Sequence, residues 1–193
     1  MAQTARGDRQ AFQTLVDRHL GRSLVIIRGF QGLAPEAEDV AQEAFTKLWV
    51  KAPQWQPPAV TGRDERQALG QAGFRTWFHR LLINHCIDRQ RRLGRRRAHQ
   101  SVSLDDAPAL ADDRDNPSDQ LLAQERDKTV HRAMGALPER QRLALTLCAF
   151  EGHSNAAAAE IMGIGVKALE ALLVRGRRQL RTALTDFMAN GSS

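Results

Sequence analysis

Apolar positions in this chain recur at helical spacing along almost its whole length. Phe12, Leu15, Val16 and His19 fall at i, i+3, i+4 and i+7, and Ile26, Ile27 and Phe30 continue the stripe. Pro35 suits a first helical position, with Glu36, Glu38 and Asp39 placed where the helix dipole favours anions. Val40, Ala41, Ala44, Phe45 and Leu48 then make one apolar face. A further helix runs from Phe74, with Trp77, Phe78, Leu81, Leu82 and His85 along one side. Sustained period-2 alternation is missing, no Asn-Gly pair joins two strand-like runs as a hairpin turn, and the chain has no tyrosine. The pattern predicts an all-α fold.

Two stretches break the periodicity. Residues 53–73 hold Pro53, Pro57, Pro58, Gly62, Gly70 and Gly73, which predicts a long loop with room for one short helical turn around 64–69. Residues 105–117 hold Pro108, Pro117 and a run of aspartates, which predicts an extended linker. The domain boundary is placed there: a helical domain over 1–98, an acidic linker over 99–117 and a second helical domain over 118–193. In the second domain, a helix starting near Ser118 carries Leu121, Leu122, Val130, Ala133, Met134 and Leu137. Pro138-Glu139 starts another, with Leu143, Ala144, Leu147 and Cys148 inward, ending near Glu151-Gly152.

A helix–turn–helix pattern follows. Ser154 is an N-cap, an alanine-rich helix runs to Met162, and Gly163-Ile164-Gly165 forms the turn. A longer helix from Val166 to about Leu184 points Leu169, Leu172, Leu173 and Leu180 inward. Its other face presents Lys167, Glu170, Arg175, Arg178 and Arg181. That is the form of a helix lying in a DNA major groove; an ordinary helical hairpin has the same apolar pattern.

Charge sharpens the picture. The 193 residues hold 28 Lys+Arg and 22 Asp+Glu, a net charge of +6, and only four of the cations are lysine. Arginine forks match phosphate bidentately, so the excess points to a polyanion, although a basic soluble protein would also show it. The charge is segregated. Residues 74–97 are net +7, 105–119 net −5 and 167–181 net +4. Two cationic helical segments flank an anionic one, as expected of two nucleic-acid contacts joined by a tether.

Other classes drop out on composition. No apolar run approaches the ~18 residues of a membrane span, so membrane insertion is not expected. Met1-Ala2-Gln3-Thr4 does not open a secretory leader. Cys86 and Cys148 form no CxxC and no His/Cys cluster, so buried free thiols are expected, with no metal and no cofactor.

Five motifs, in order, carry a family resemblance. Gly7-Asp8-Arg9-Gln10-Ala11-Phe12 opens the chain. Ala37-Glu38-Asp39-Val40-Ala41-Gln42-Glu43-Ala44-Phe45 follows, ending in Leu48-Trp49. Phe74-Arg75-Thr76-Trp77-Phe78 precedes Asn84-His85-Cys86-Ile87-Asp88-Arg89-Gln90-Arg91-Arg92. Leu137-Pro138-Glu139-Arg140-Gln141-Arg142 comes next, and Gly163-Ile164-Gly165-Val166-Lys167-Ala168-Leu169-Glu170 is the last. Together they resemble the extracytoplasmic-function (ECF) sigma factors, small bacterial sigma factors holding only regions 2 and 4. The likeness spans nearly the full length.

The resemblance implies a non-enzymatic transcription initiation factor that binds RNA polymerase core and directs it to promoters in a stress or environmental response. Region 2 would read and open the −10 element, and region 4 would read the −35 element. Asp39, Gln42 and Glu43 would dock on the clamp helices of the β′ subunit, and region 4 on the β flap. The same acids also suit a helix N-terminal turn. The −10 contacts would be Arg75, Arg80, Asn84, Asp88, Arg89, Arg91, Arg92, Arg95 and Arg96, with Asn84 near a flipped base or simply on the helix surface, the later arginines on phosphates, and Arg75 and Arg80 joining them or only solvating the helix. The −35 contacts would be Lys167, Ala168, Ala171 and Arg175 in the groove and Arg177, Arg178 and Arg181 on phosphates. His153 and Ser154 would offer a phosphate site at the start of the first helix of the motif. Trp77 is read as core rather than a stacking platform. An anti-sigma factor is a further expected partner, and the acidic linker is read either as a solvated tether or as a nucleic-acid mimic in the polymerase channel.

The chain departs from the family at two places. Trp49 and Phe74 lie farther apart than usual, and the basic triplet of the recognition helix is Glu170-Ala171-Leu172. Two rival classes remain for comparison. A stand-alone helix–turn–helix regulator leaves residues 35–49 without a role. A nucleic-acid enzyme such as a resolvase lacks a tyrosine and an activated serine.

Overall fold

A computed structural model describes residues 1–56, 63–99, 129–130 and 132–190, with side chains described over 1–56, 72–95, 129–130 and 132–185. The acidic linker, the boundary placed at 99–117 and the start of the helix expected from Ser118 fall outside the described residues; 132–135 are helical.

All regular structure among the described residues is helical. The helices are α1 (Ala2–Ala5), α2 (Arg9–Arg28), α3 (Ala37–Lys51), α4 (Arg63–His99), α5 (Glu139–Leu145), α6 (Asn155–Met162) and α7 (Val166–Asn190). Asp8 caps α2 by accepting from the Ala11 amide at 3.0 Å. Pro35 sits in a 3₁₀ turn, Ala34–Glu36, that leads into α3. A π-helical turn, Thr146–Phe150, extends α5.

The loop expected over 53–73 is much shorter than its prolines and glycines suggested. A 3₁₀ turn covers Ala52–Gln54, and α4 already begins at Arg63, so Gly70 and Gly73 lie inside a helix. Each interior glycine costs about 1 kcal/mol relative to alanine. That is small against the apolar face the helix carries, and residues 63–69 are otherwise good helix formers with no proline.

Two buried clusters hold the fold. In the first half, Phe45 and Leu48 of α3 meet Phe74 and Phe78 of α4, with Phe12, Leu15, Val16, Trp55 and Trp77 packed around them. The Phe74 and Phe78 rings stack at 5.9 Å, and His19 meets both edge-on. Trp77 is half-buried at the rim of this core. The larger cluster runs through both halves of the chain. Ile26, Ile27, Val40, Leu82, Ile83 and Cys86 share it with Leu137, Leu145, Leu147, Ile161, Leu169 and Leu173. Helix α4 packs on α3 on one side and on α6 on the other.

The helix–turn–helix forms as read. The Ser154 hydroxyl accepts from the Ala157 amide at 3.2 Å. Gly163 ends α6 at φ +62°, a left-handed conformation that glycine adopts without steric cost. Gly176 has a packing role that the pattern did not reveal. A Cβ there would lie 3.0 Å from Leu145 Cδ1, so the glycine lets α7 approach α5 closely. Replacing Ser154 with alanine should lower unfolding free energy by about 1 kcal/mol, read by chemical denaturation, because α6 loses its side-chain cap.

Candidate polymerase and nucleic-acid interface

Three surfaces carry the residues singled out in the sequence. The first is on α3. Val40, Ala41, Ala44 and Phe45 are buried, which turns Asp39 and Gln42 outward, where both are exposed. Glu43 sits on the shoulder of the same face and is not free. Arg89 Nη1 donates to Glu43 Oε1 at 3.2 Å, and His85 Nε2 lies 3.1 Å from Oε2. Arg89 also donates through Nε and Nη2 to Glu36 Oε2, at 3.0 and 2.6 Å. Lys47 Nζ lies 2.6 Å from His85 Nδ1. Ammonium only donates, so Nδ1 is the acceptor and the ring proton sits on Nε2, facing Glu43. Burial, with Lys47 beside it, lowers the pKa of His85 despite the pull of Glu43. The network Lys47–His85–Glu43–Arg89–Glu36 ties α3 to α4.

The second surface is the far part of α4. Asn84, Asp88, Arg91, Arg92 and Arg95 are all exposed. Their spacing of i, i+4, i+7, i+8 and i+11 puts them on one face. Arg96 lies on α4, but its side chain is outside the described set. The other cations grouped with them in the sequence go elsewhere. Arg89 is half-buried in the carboxylate pair described above. Arg75 donates through Nη2 to the carbonyl of Glu151, and Arg80 Nη1 bonds Glu160 Oε1 at 3.2 Å. In this arrangement Arg75 and Arg89 face the protein's own carbonyls and acids, whereas Arg80 stays exposed and pairs with the exposed Glu160 at the surface.

The third surface is α7. Leu169 and Leu173 are buried, and Lys167, Ala168, Ala171, Arg175, Arg177, Arg178 and Arg181 are exposed. Arg175 Nε donates to the Ala171 carbonyl at 3.1 Å, so this side chain lies along its own helix. Ser154 is exposed, with its hydroxyl engaged in the cap. His153 is not on that surface. It is 8% exposed, and its Nε2 lies 2.8 Å from His79 Nδ1. The reason is packing: the chain leaving the π-helical turn presses residue 153 against α4 before Ser154 turns out to cap α6.

The sequence did not signal the polar cluster around that contact. Burial lowers the pKa of His79 to about 3, and the facing His153 adds to the shift. His153 is lowered to about 4 by burial, with Arg75 adding to it. Both rings are therefore neutral near pH 7, one nitrogen donating and the other accepting. Glu151 is 7% exposed, and its pKa is raised by burial, against Arg22 and Arg75. Its Oε2 lies 3.8 Å from Arg22 and 3.9 Å from His79 Nε2. A buried histidine inside an apolar stripe reads as a polar residue, so only spatial proximity shows this pair.

Among the described residues, no group of His, Cys, Asp and Glu could hold a metal, and no helix is long and apolar enough to cross a membrane. Cys86 and Cys148 are free, and burial lifts the Cys86 thiol to about 12, which leaves it unreactive.

The described residues thus present an exposed polar face on α3 and a helix–turn–helix with an outward row of cations, an arrangement suited to a nucleic-acid-binding class of protein. Comparisons with known proteins make the class specific. Residues 127–180 match the family "Sigma-70, region 4". The chain is 33% identical to RNA polymerase sigma-H factor of Pseudomonas aeruginosa over 188 residues, covering 95% of this chain and 91% of that protein. It is 27% identical over 184 residues to ECF RNA polymerase sigma factor SigM of Mycobacterium tuberculosis, covering 95% and 82%. The fold resembles the sigma factor RpoE solved with the anti-sigma factor NepR from Bartonella quintana, with a TM-score of 0.69 at 19% identity, covering 91% of this chain and 98% of that one. The chain belongs to the bacterial RNA polymerase sigma factors, in their ECF group.

Proposed function

We propose that this sigma factor docks on polymerase core chiefly through Asp39 and Gln42 of α3, with the β′ clamp helices as partner. The exposed face of α4, with Asn84, Asp88, Arg91, Arg92 and Arg95, meets the −10 element. Lys167, Ala168, Ala171 and Arg175 of α7 enter the groove of the −35 element, and Arg177, Arg178 and Arg181 meet its phosphates. The β flap holds the second module on the polymerase. The factor forms and breaks no covalent bond itself, and it works in the cytoplasm, where polymerase is.

One observation carries the reading: α7 follows a capped short helix and a left-handed glycine turn, buries its leucines, and leaves a row of cations outward. Exposed carboxylate and amide groups on α3 support a cationic protein partner, because charge complementarity steers and orients docking. An anti-sigma factor is a fitting second partner. The sigma factor of similar fold was solved bound to one, and a protein covering α3 or α7 would block either contact.

The phosphate role of Arg178 is testable by salt titration. Holoenzyme carrying Arg178→Ala should bind promoter more weakly at every sequence tested, and the slope of log K against log salt should fall by about one. An unchanged slope would remove Arg178 from the phosphate contacts. Lys167→Ala should instead change the preference among −35 variants by about 1–3 kcal/mol at a single base pair.

A further inference from the structure

We infer that Glu170 and Val174 of α7 set the base preference of the −35 contact. Glu170 accepts from the exocyclic amine of a cytosine, and Val174 packs on the methyl group of a thymine no more than about two base pairs away. The inference rests on the placement of α7 in the −35 groove proposed above and names the bases that this particular helix takes.

The cations of α7 leave three features of its outer face without a task. Lys167, Glu170, Ala171, Val174, Arg175 and Arg178 fall at i, i+3, i+4, i+7, i+8 and i+11, and all are exposed. The opposite side fixes the direction, because Leu169 and Leu173 are buried and Gly176 lies against Leu145. Glu170 is the one carboxylate among the described side chains of α7. Phosphates repel a carboxylate, and nothing local offsets that. Glu170 lies past the first helical turn, where the dipole would favour an anion. The residue four positions on is Val174, not a cation, and among the described residues no cation pairs with Glu170. Glu139 and Glu160 of the same module do have partners. Val174 is 66% exposed, a branched apolar side chain in a row of charges. Ala168 and Ala171 beside them are exposed and short, so the backbone of α7 can come close to base edges.

The chemistry of the major groove decides what these side chains can meet. An ionised carboxylate only accepts hydrogen bonds. Guanine shows two acceptors there, thymine an acceptor and a methyl, and adenine an acceptor beside its amine, whereas cytosine shows an amine alone. Cytosine therefore satisfies Glu170, and each other base sets an acceptor against its charge. Valine offers only methyl groups, whose counterpart in the groove is the thymine methyl. Four helical residues rise about 6 Å, less than two base-pair steps of about 3.4 Å, so the two bases are neighbours or next neighbours.

The test selects holoenzyme, full chain with core, on a promoter library with the −35 element randomised and the −10 element fixed. The native chain should enrich cytosine over guanine by at least about tenfold at one position, with thymine enriched within about two base pairs of it. Glu170→Gln should move the first preference from cytosine to adenine, because an amide accepts from N6 and donates to N7. Glu170→Ala should flatten it to less than about threefold. Replacing the thymine by deoxyuridine, which lacks only the methyl, should weaken the native holoenzyme several-fold and leave Val174→Ala unmoved. Both residues are exposed, so helical content checks that each variant is folded. Base profiles of Glu170→Gln and Glu170→Ala identical to the native one would overturn the inference. The salt slopes of Arg177→Ala, Arg178→Ala and Arg181→Ala tell two failures apart. Slopes lowered by about one, with unchanged base profiles, keep α7 on the DNA and remove only the base assignment. Unchanged slopes in all three would remove α7 from the DNA, and the inference with it.

Discussion

A chain carrying Asp39→Arg and Gln42→Ala will lose its affinity for RNA polymerase core while keeping its helical content and unfolding midpoint. Both side chains are exposed and neither holds the core together, so the fold has no stake in them. Reversing one charge and removing one amide at a charge-complementary contact should weaken Kd at least about a hundredfold, or roughly 2.7 kcal/mol. Titration of labelled chain with core reads the loss directly. From the sequence alone, Gln42→Ala with Glu43→Lys is the natural variant, because residues 39, 42 and 43 share a face. The structure argues against using Glu43. A lysine there would sit against Arg89, His85 and Lys47, which would disturb the α3–α4 junction and confound docking with folding. A core affinity unchanged by Asp39→Arg with Gln42→Ala would move the docking face elsewhere.

Acidification will destabilise the folded chain by several kcal/mol between pH 7.5 and pH 5. The sign follows from four buried histidines, His19, His79, His85 and His153, each held below the ordinary imidazole value chiefly by burial. His19 and His153 are lowered to about 4 and His79 to about 3, each chiefly by burial. Unfolded histidines titrate near 6.5. Above that value neither state is protonated and the stability is fully present. Below it the unfolded chain binds protons that the folded chain refuses, so stability falls as pH drops from about 6.5 towards the folded values. Each histidine contributes roughly 1 kcal/mol per pH unit in that window. Glu151 acts in the opposite sense: its raised pKa favours proton uptake by the folded chain and offsets part of the loss. Denaturation midpoints across pH 5–7.5 measure the sum. His79→Phe should flatten the curve below pH 6.5, and a curve already flat in the native chain would show that these rings are not held neutral.

Much of this molecule was legible before its structure. Helical periodicity placed α2, α3, the apolar side of α4 and the helix–turn–helix, because an apolar stripe at 3.6-residue spacing admits few other solutions. The Ser154 cap and the Gly163 turn were readable because their chemistry is local. The exposed cations of α7 followed from where its leucines lie. Two kinds of feature were not readable. The N-terminal extension of α4 through Gly70 and Gly73 was hidden because glycine weakens a helix without forbidding it. The pairing of His79 with His153, and of Arg75 and Arg80 with groups of the second half, was hidden because it joins residues more than 70 positions apart. The family resemblance grouped Arg75, Arg80, Arg89, Arg91, Arg92, Arg95 and Arg96 as −10 contacts. Packing divides them: Arg91, Arg92 and Arg95 face outward, Arg75 and Arg89 serve contacts within the chain, and Arg80 pairs with Glu160 while staying exposed.

The decisive measurement is run-off transcription with purified sigma-free core, the purified chain and a library of promoter fragments. Transcripts should start at defined positions on a small set of fragments, only when the chain is added, and disappear with Asp39→Arg and Gln42→Ala. A chain that binds those fragments unaided, yet neither associates with core nor yields a start site, would instead be a free-standing DNA-binding regulator.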